Sequence, residues 1–214
     1  MGRGSSKAGG KSDGLISKVQ DNTDFNAFVK TNMSNPEFKQ FGRENGMEAV
    51  RQLWREKRVE SELSSVHEIS REEAIEQMRD AIPQSIINQW FVEANSGAKP
   101  KLVEHILSNK GTLNAGLNIA YANYTDEMSM SGGKPLSFQT WLNTPQTLYR
   151  GEYGQGRVQS DIFASYTRDR KVAESFGQKV STIRIRPIDT WGSYQTTGEQ
   201  EYLIPVKRER KKKK

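Results

Sequence analysis

The 214-residue chain has no cysteine and two histidines, His67 and His105. Thiol nucleophiles, Cys-His pairs, cysteine-rich zinc sites and HExxH metal centres are thereby removed, and no metal is expected. His105 stands among apolar residues at helical spacing and His67 in a polar stretch, so both read as structural. The groups left to manage charge and protons are carboxylates, hydroxyls and an arginine in three short motifs. In chain order these are LYRG at 148–151, FASYT at 163–167 and GEQEYLIP at 198–205. Taken singly, each has an ordinary reading: Arg150 as a surface residue, Ser165 as a strand hydroxyl, Phe176 as core, and Glu199 with Glu201 as a solvated edge. A dinucleotide-binding GxGxxG is missing, because Gly151, Gly154 and Gly156 follow a strand without opening a helix, which argues against a Rossmann enzyme.

The order and strand context of the three motifs resemble the Arg, Ser-Thr-Ser and Glu-x-Glu signature of mono-ADP-ribosyltransferases of the cholera-toxin-like class, a family that includes bacterial toxins and phage-encoded enzymes. FASYTRDRKVAESFG extends the likeness, since a Ser-Thr-Ser strand followed by a short helix with a Val-Ala-x-x-Phe face is a habit of that family. One departure is plain: Tyr166 and Thr167 stand where the family has Thr and Ser, with Ser165 keeping the first position. The match covers about the last 60 to 70 residues.

The resemblance implies that NAD is a substrate and that its nicotinamide–ribose bond is split, through a transition state with positive charge on the sugar. Glu201 is then the catalytic carboxylate beside that sugar, and Ser165 orients it. Arg150 supplies a guanidinium for the NAD diphosphate and supports the site's geometry. The main chain of Gly151 binds the carboxamide, Phe176 sets a ring against the nicotinamide, and Lys179 adds a phosphate contact. Glu199 shares a side with Glu201 if the segment is extended, and so orients or deprotonates the acceptor; a glutamate there accompanies transfer to arginine. Tyr194, in the loop TWGSYQTTG, is expected to touch the acceptor, with Trp191 either joining it or packing.

These residues need a scaffold, and the expected fold is α+β: a helical N-terminal layer over 15–145, then a β-rich catalytic core over 146–206 with a mixed or antiparallel sheet of the ADP-ribosyltransferase type. Asn35-Pro36 predicts a helix start, and Gly42 and Gly46 are candidate breaks in the long run that follows. Ser70 with Glu73 is a capping-box pattern, and Pro83 marks a boundary before a further helix. KLVEHILSNKG closes on Gly111, another helix is expected over 113–128, a loop over 129–135 and a short helix over 137–142. After Pro145 the strands TLYRG, VSTIRIRP and EYLIP are predicted, with Val172, Ala173 and Phe176 on one face of a short helix stopped by Gly177. Trp54, Trp90, Trp141 and Tyr149 are expected to pack.

One domain over 15–206 is expected, preceded by a flexible Gly/Ser/Lys lead over 1–14 and followed by a basic tail over 207–214. The tail carries seven basic residues and one acidic, a net of +6 that equals the charge of the whole chain. The sequence pI of 9.4 therefore does not describe a basic fold, although the tail can tether a polyanion such as nucleic acid. No apolar run is long enough to span a bilayer and no secretory h-region is found, so a cytoplasmic protein acting in a bacterial host cytosol is expected, phage-encoded or delivered. The partner is expected to be a host protein acceptor. Alternatives are NAD glycohydrolysis, transfer to a nucleic acid or small molecule, or a non-enzymatic nucleic-acid- or virion-binding module on a degenerate transferase fold.

Overall fold

A computed structural model describes residues 14–83, 85, 106, 108–152, 163–193 and 201–205. Most of the expected helical stretch between Pro83 and Gly111, with Trp90 and His105, lies outside the described residues, as do Tyr194, Glu199 and the basic tail. The chain divides into two compact units, Met1–Ser65 and Val66–Lys214. The expected change from helix to strand near residue 145 thus falls inside the second unit.

The first unit is helical. Helix α1, Phe25–Asn32, starts where the Asp24 carboxylate accepts from the Ala27 N–H, and α2, Pro36–Leu63, starts where Asn35 accepts from Glu37 and Phe38. Of the two candidate breaks, Gly46 interrupts the helical run with φ +78 and ψ 172, whereas Gly42 stays helical. Left-handed φ favours a residue without Cβ, and no heavy atom lies within 4 Å of where a Cβ would sit. Phe28 and Phe38 meet edge to face at 5.7 Å, and Val50, Leu53 and Trp54 complete a dry core. Arg58 is buried on that face with both of its neighbours supplied: Asp21 at 2.7 Å and Glu62, one helical turn on, at 2.8 Å.

The second unit combines helices with one sheet. Helix α3, Arg71–Ala81, begins with the Ser70 hydroxyl accepting from the Glu73 N–H at 3.1 Å, half of the anticipated capping box. Gly111, left-handed at φ +81, leads directly into α4, Thr112–Met130, which runs two residues further into the expected loop. The first turns of α4 are buried on every side, and Asn114 and Asn118 explain how polar residues are tolerated there. Their side chains hold the backbone of 67–69, Asn114 accepting from the His67 N–H at 2.9 Å and Asn118 spanning His67 and Ile69. Helix α5, Phe138–Asn143, is capped by Ser137 and stacks Trp141 among Tyr121, Tyr124 and Phe138.

Strands β1 (Gln146–Glu152), β2 (Phe163–Thr167), β3 (Lys179–Ile185) and β4 (Glu201–Pro205) form one antiparallel sheet in the order β3-β1-β2-β4. Helix α6, Arg170–Ser175, interrupts them and is capped by Asp169. It ends one residue before Phe176, which is 44% exposed rather than sharing a buried face with Ala173. Of the two readings of Trp191, acceptor contact or packing, its 2% exposure favours packing. Its backbone explains the burial: the Trp191 N–H donates to Leu203 O at 2.7 Å and the Leu203 N–H to Gly192 O at 3.0 Å, so 191–192 pair along the free side of β4.

Candidate active site

The strand order sets the three motifs side by side although they are far apart in sequence. LYRG lies on β1, FASYT is β2, and the end of GEQEYLIP is β4. Strand β1 pairs with β3 along its whole length, from Gln146–Ile185 to Glu152–Lys179, and β2 pairs with β4 from Phe163–Pro205 to Thr167–Glu201. Between these ladders, pairing among the described residues is confined to Tyr149 with Thr167. Among the described residues the sheet thus consists of two long ladders, β1 with β3 and β2 with β4, joined through Tyr149 and Thr167.

Register and alternation decide which side chains meet. Tyr149, Thr167 and Glu201 fall in one row across the seam, and Ser165, two residues from Thr167, lies on the same face as Glu201. Glu201 is 8% exposed, Thr167 is buried, and Ser165 is half-buried. Arg150 is one residue out of phase and faces the other side with Tyr166 and Tyr202. Its guanidinium carbon stands 5.9 Å from the centre of the Tyr166 ring, within cation–π range. The residue that departs from the family pattern is thus the one that receives the motif arginine. Sequence reasoning passed over Tyr149 and Thr167 as members of the Glu201 row; counting two from Ser165 finds Thr167, but Tyr149 follows only from the cross-strand register.

Gly151 is required by packing. A Cβ there would collide with the carbonyl of Ala173 and crowd the Gly177 nitrogen, and a Cβ on Gly177 would collide with the backbone of Glu152. This mutual approach docks the end of α6 against β1 with no side chain between, which leaves Phe176 beside Gly151 in the chain path and open to solvent. Lys179, opposite Glu152 in the ladder, is largely exposed and shares its charge with that carboxylate at 3.8 Å. The structure therefore groups Ser165 with Glu201 on one face and Gly151, Phe176 and Lys179 around the α6–β1 contact. Tyr194 and Glu199 lie outside the described residues.

Among the described residues no group of three or more histidines and carboxylates is placed to hold a metal ion, and no helix is long and apolar enough to cross a membrane. Comparison of the chain with protein-family models, with curated proteins and with solved structures finds no match.

Proposed function

We propose that the chain is an NAD-dependent mono-ADP-ribosyltransferase with Glu201 as its catalytic carboxylate and a protein arginine as acceptor. The observation that carries this reading is the adjacency of the three motif strands, β1-β2-β4, with Ser165 and the buried Glu201 on one face. A carboxylate held in a sheet with little water around it acts strongly on a cation that forms beside it, because its field is weakly screened and it need not reorganise. The bond to nicotinamide breaks with its electron pair leaving on the nicotinamide ring nitrogen. Glu201 stabilises the oxocarbenium ion left on the ribose, and an acceptor nitrogen closes the new bond. Glu199 takes the proton that the acceptor must lose. Arg150, facing Tyr166 on the reverse side, serves the site by fixing β1 against β2 at the seam instead of reaching NAD across the sheet.

Labelled NAD incubated with the protein and a bacterial lysate tests the reading, and mass spectrometry of labelled proteins identifies the acceptor residue. Transfer to arginine is expected; absence of both labelling and nicotinamide release would sink the assignment. Glu199→Gln should lose transfer while keeping part of the NAD hydrolysis, since water needs less help from a base than a guanidinium does. Equal loss of the two activities would remove Glu199 from the acceptor side.

A further inference from the structure

Residues 187–193 form a strap tied at nearly every step. A single 3-10 turn over Pro187–Asp189 ends where the Thr190 N–H and the Thr190 hydroxyl both donate to Pro187 O, at 2.9 and 2.7 Å. The same hydroxyl oxygen accepts from the Gly192 N–H at 3.0 Å. Thr190, Trp191 and Ser193 are at most 3% exposed. On one side of the strap, Trp191 and Gly192 together oppose the single residue Leu203 of β4, the two-against-one count of a β-bulge. On the other, the Ser193 N–H donates to the carbonyl of Gly116 in α4 at 2.8 Å. Two glycines meet at this crossing. A Cβ on Gly116 would fall on the Trp191 carbonyl oxygen, and one on Gly192, where φ is +68, would fall on the backbone of Gly116 and Leu117.

A glycine inside a helix costs roughly 0.5–1 kcal/mol relative to alanine, so Gly116 needs a reason, and the strap is that reason. Helix α4 has no free side on which to retreat from it: residues 112–120 are buried, and Asn114 and Asn118, flanking Gly116, are themselves bonded to the backbone of 67–69. The bonds within the strap keep it from bending locally. A displacement at the crossing therefore passes to Leu203 and along β4 to Glu201, two residues away, which stands opposite Thr167 at the end of the β2–β4 register. Bulges recur beside active sites because they re-aim a side chain. We propose that Gly116 and Gly192 are positioning residues, whose backbone crossing seats the strap on β4 and so fixes where the Glu201 carboxylate stands. The inference rests on the transferase reading. Relieving an overlap with a carbonyl oxygen takes a shift on the order of 1 Å, and a misplacement of about that size can cost 10²-fold in rate. Gly151, Phe176 and Lys179, the residues around the α6–β1 contact expected to meet NAD, take no part in the crossing.

Nicotinamide release from NAD by the full chain, with kcat and KM resolved, tests this. Gly116→Ala, checked for folding by circular dichroism, should lower kcat about 10²-fold and leave KM for NAD within about twofold. Thr190→Val keeps the shape of the side chain and removes the acceptor of the Gly192 N–H, a milder loosening of the strap that should lower kcat about tenfold. Ala120→Gly weakens α4 by about 1 kcal/mol without adding an atom at the crossing, and should turn over like the parent. Amide hydrogen exchange reads the coupling without chemistry: in Gly116→Ala and Thr190→Val the Trp191, Ser193 and Leu203 N–H groups should exchange about tenfold faster or more, while the β1–β3 ladder stays protected. The proposal is overturned if folded Gly116→Ala or Thr190→Val keeps the parent kcat, if Ala120→Gly loses as much as Gly116→Ala, or if the loss falls on KM. Unchanged exchange at Leu203 overturns it as well, with or without turnover, whereas a parent chain that releases no nicotinamide fails the transferase reading.

Discussion

Trp54 in the first unit and Trp141 in the second are both almost completely buried, at 1% and 0% exposure, yet their indole N–H groups fare differently. Trp54 Nε1 donates to the carbonyl of Asn22 at 2.8 Å, while Trp141 Nε1 has no partner. Two arginines repeat the contrast. Arg58 meets Asp21 and Glu62 at hydrogen-bond distance, whereas Arg168 faces Glu127 out of alignment and leaves Nη1 unused. The first unit matches most of its buried polar groups from within itself, Asp21 Oδ1 being an atom it leaves over. The second leaves Trp141 Nε1 and Gln146 Oε1 without a hydrogen-bond partner and holds the buried Glu201 in its sheet. A fold gains nothing from unmatched buried polarity, so each such atom is a cost that the second unit carries.

The largest effect expected on this contrast is at Arg58. Arg58→Met removes one member of a buried ionic group and strands Glu62 and Asp21, which should cost about 3–5 kcal/mol in urea unfolding of the first unit. Adding Glu62→Leu should recover much of the loss, because the uncompensated carboxylate and not the missing contact is what destabilises. A loss well under 1 kcal/mol for the single variant would mean that the first unit does not depend on its internal matching.

Glu201→Gln sharpens the other side. The substitution keeps size and a hydrogen-bonding capacity, so the fold should survive by circular dichroism and thermal melting. Nicotinamide release should nevertheless fall at least about 10²–10³-fold. Retained activity in the folded variant would sink the role assigned to Glu201.

Much of this was legible in local residues. Asn35-Pro36, Ser70 with Glu73 and Ser137 each satisfy a helix end through neighbours a few positions away, so their signals survive in the bare sequence. The short α1 carried only Asp24 as a start and was absorbed into an unspecified helical region. The strands showed through alternation and β-branched residues, but their order and register are non-local. For that reason the sequence does not say which face Arg150 takes relative to Glu201, nor that the Tyr166 ring stands 5.9 Å from the Arg150 guanidinium. Trp191 reads either way in the sequence for the same reason: its burial depends on backbone bonds to Leu203, twelve residues later, which polar neighbours such as Ser193 and Gln195 do not announce.

Tyr202 separates the two regions by pH. Burial pushes its hydroxyl up to about 12, against a downward pull from the nearby Arg168, although the hydroxyl makes no well-aligned hydrogen bond. Below pH 10 the phenol is neutral in folded and unfolded chains alike, and its contribution to stability is fully present. Between pH 10 and 12 the unfolded phenol ionises while the folded one stays protonated, so stability is lost as pH rises, by up to about 1.4 kcal/mol per pH unit. Tyr202→Phe should show a shallower decline over that window; identical slopes would mean the hydroxyl reaches water.

The smallest effect is the most discriminating. Trp54→Phe and Trp141→Phe remove the same atoms from comparable depths, so lost ring area is nearly the same in both. Trp54→Phe also strands the Asn22 carbonyl and should cost about 1–3 kcal/mol beyond that shared loss. Trp141→Phe strands nothing, because its N–H was already unmatched, and removing it relieves a desolvation cost of similar size. The second variant should therefore be the more stable of the two in chemical denaturation. If the two lose equal stability, the Trp141 N–H is satisfied in solution, by a buried water or a shift of its neighbours. If the expected order holds, the unmatched indole N–H is a net cost to the fold of the second unit, offset by the packing of its ring.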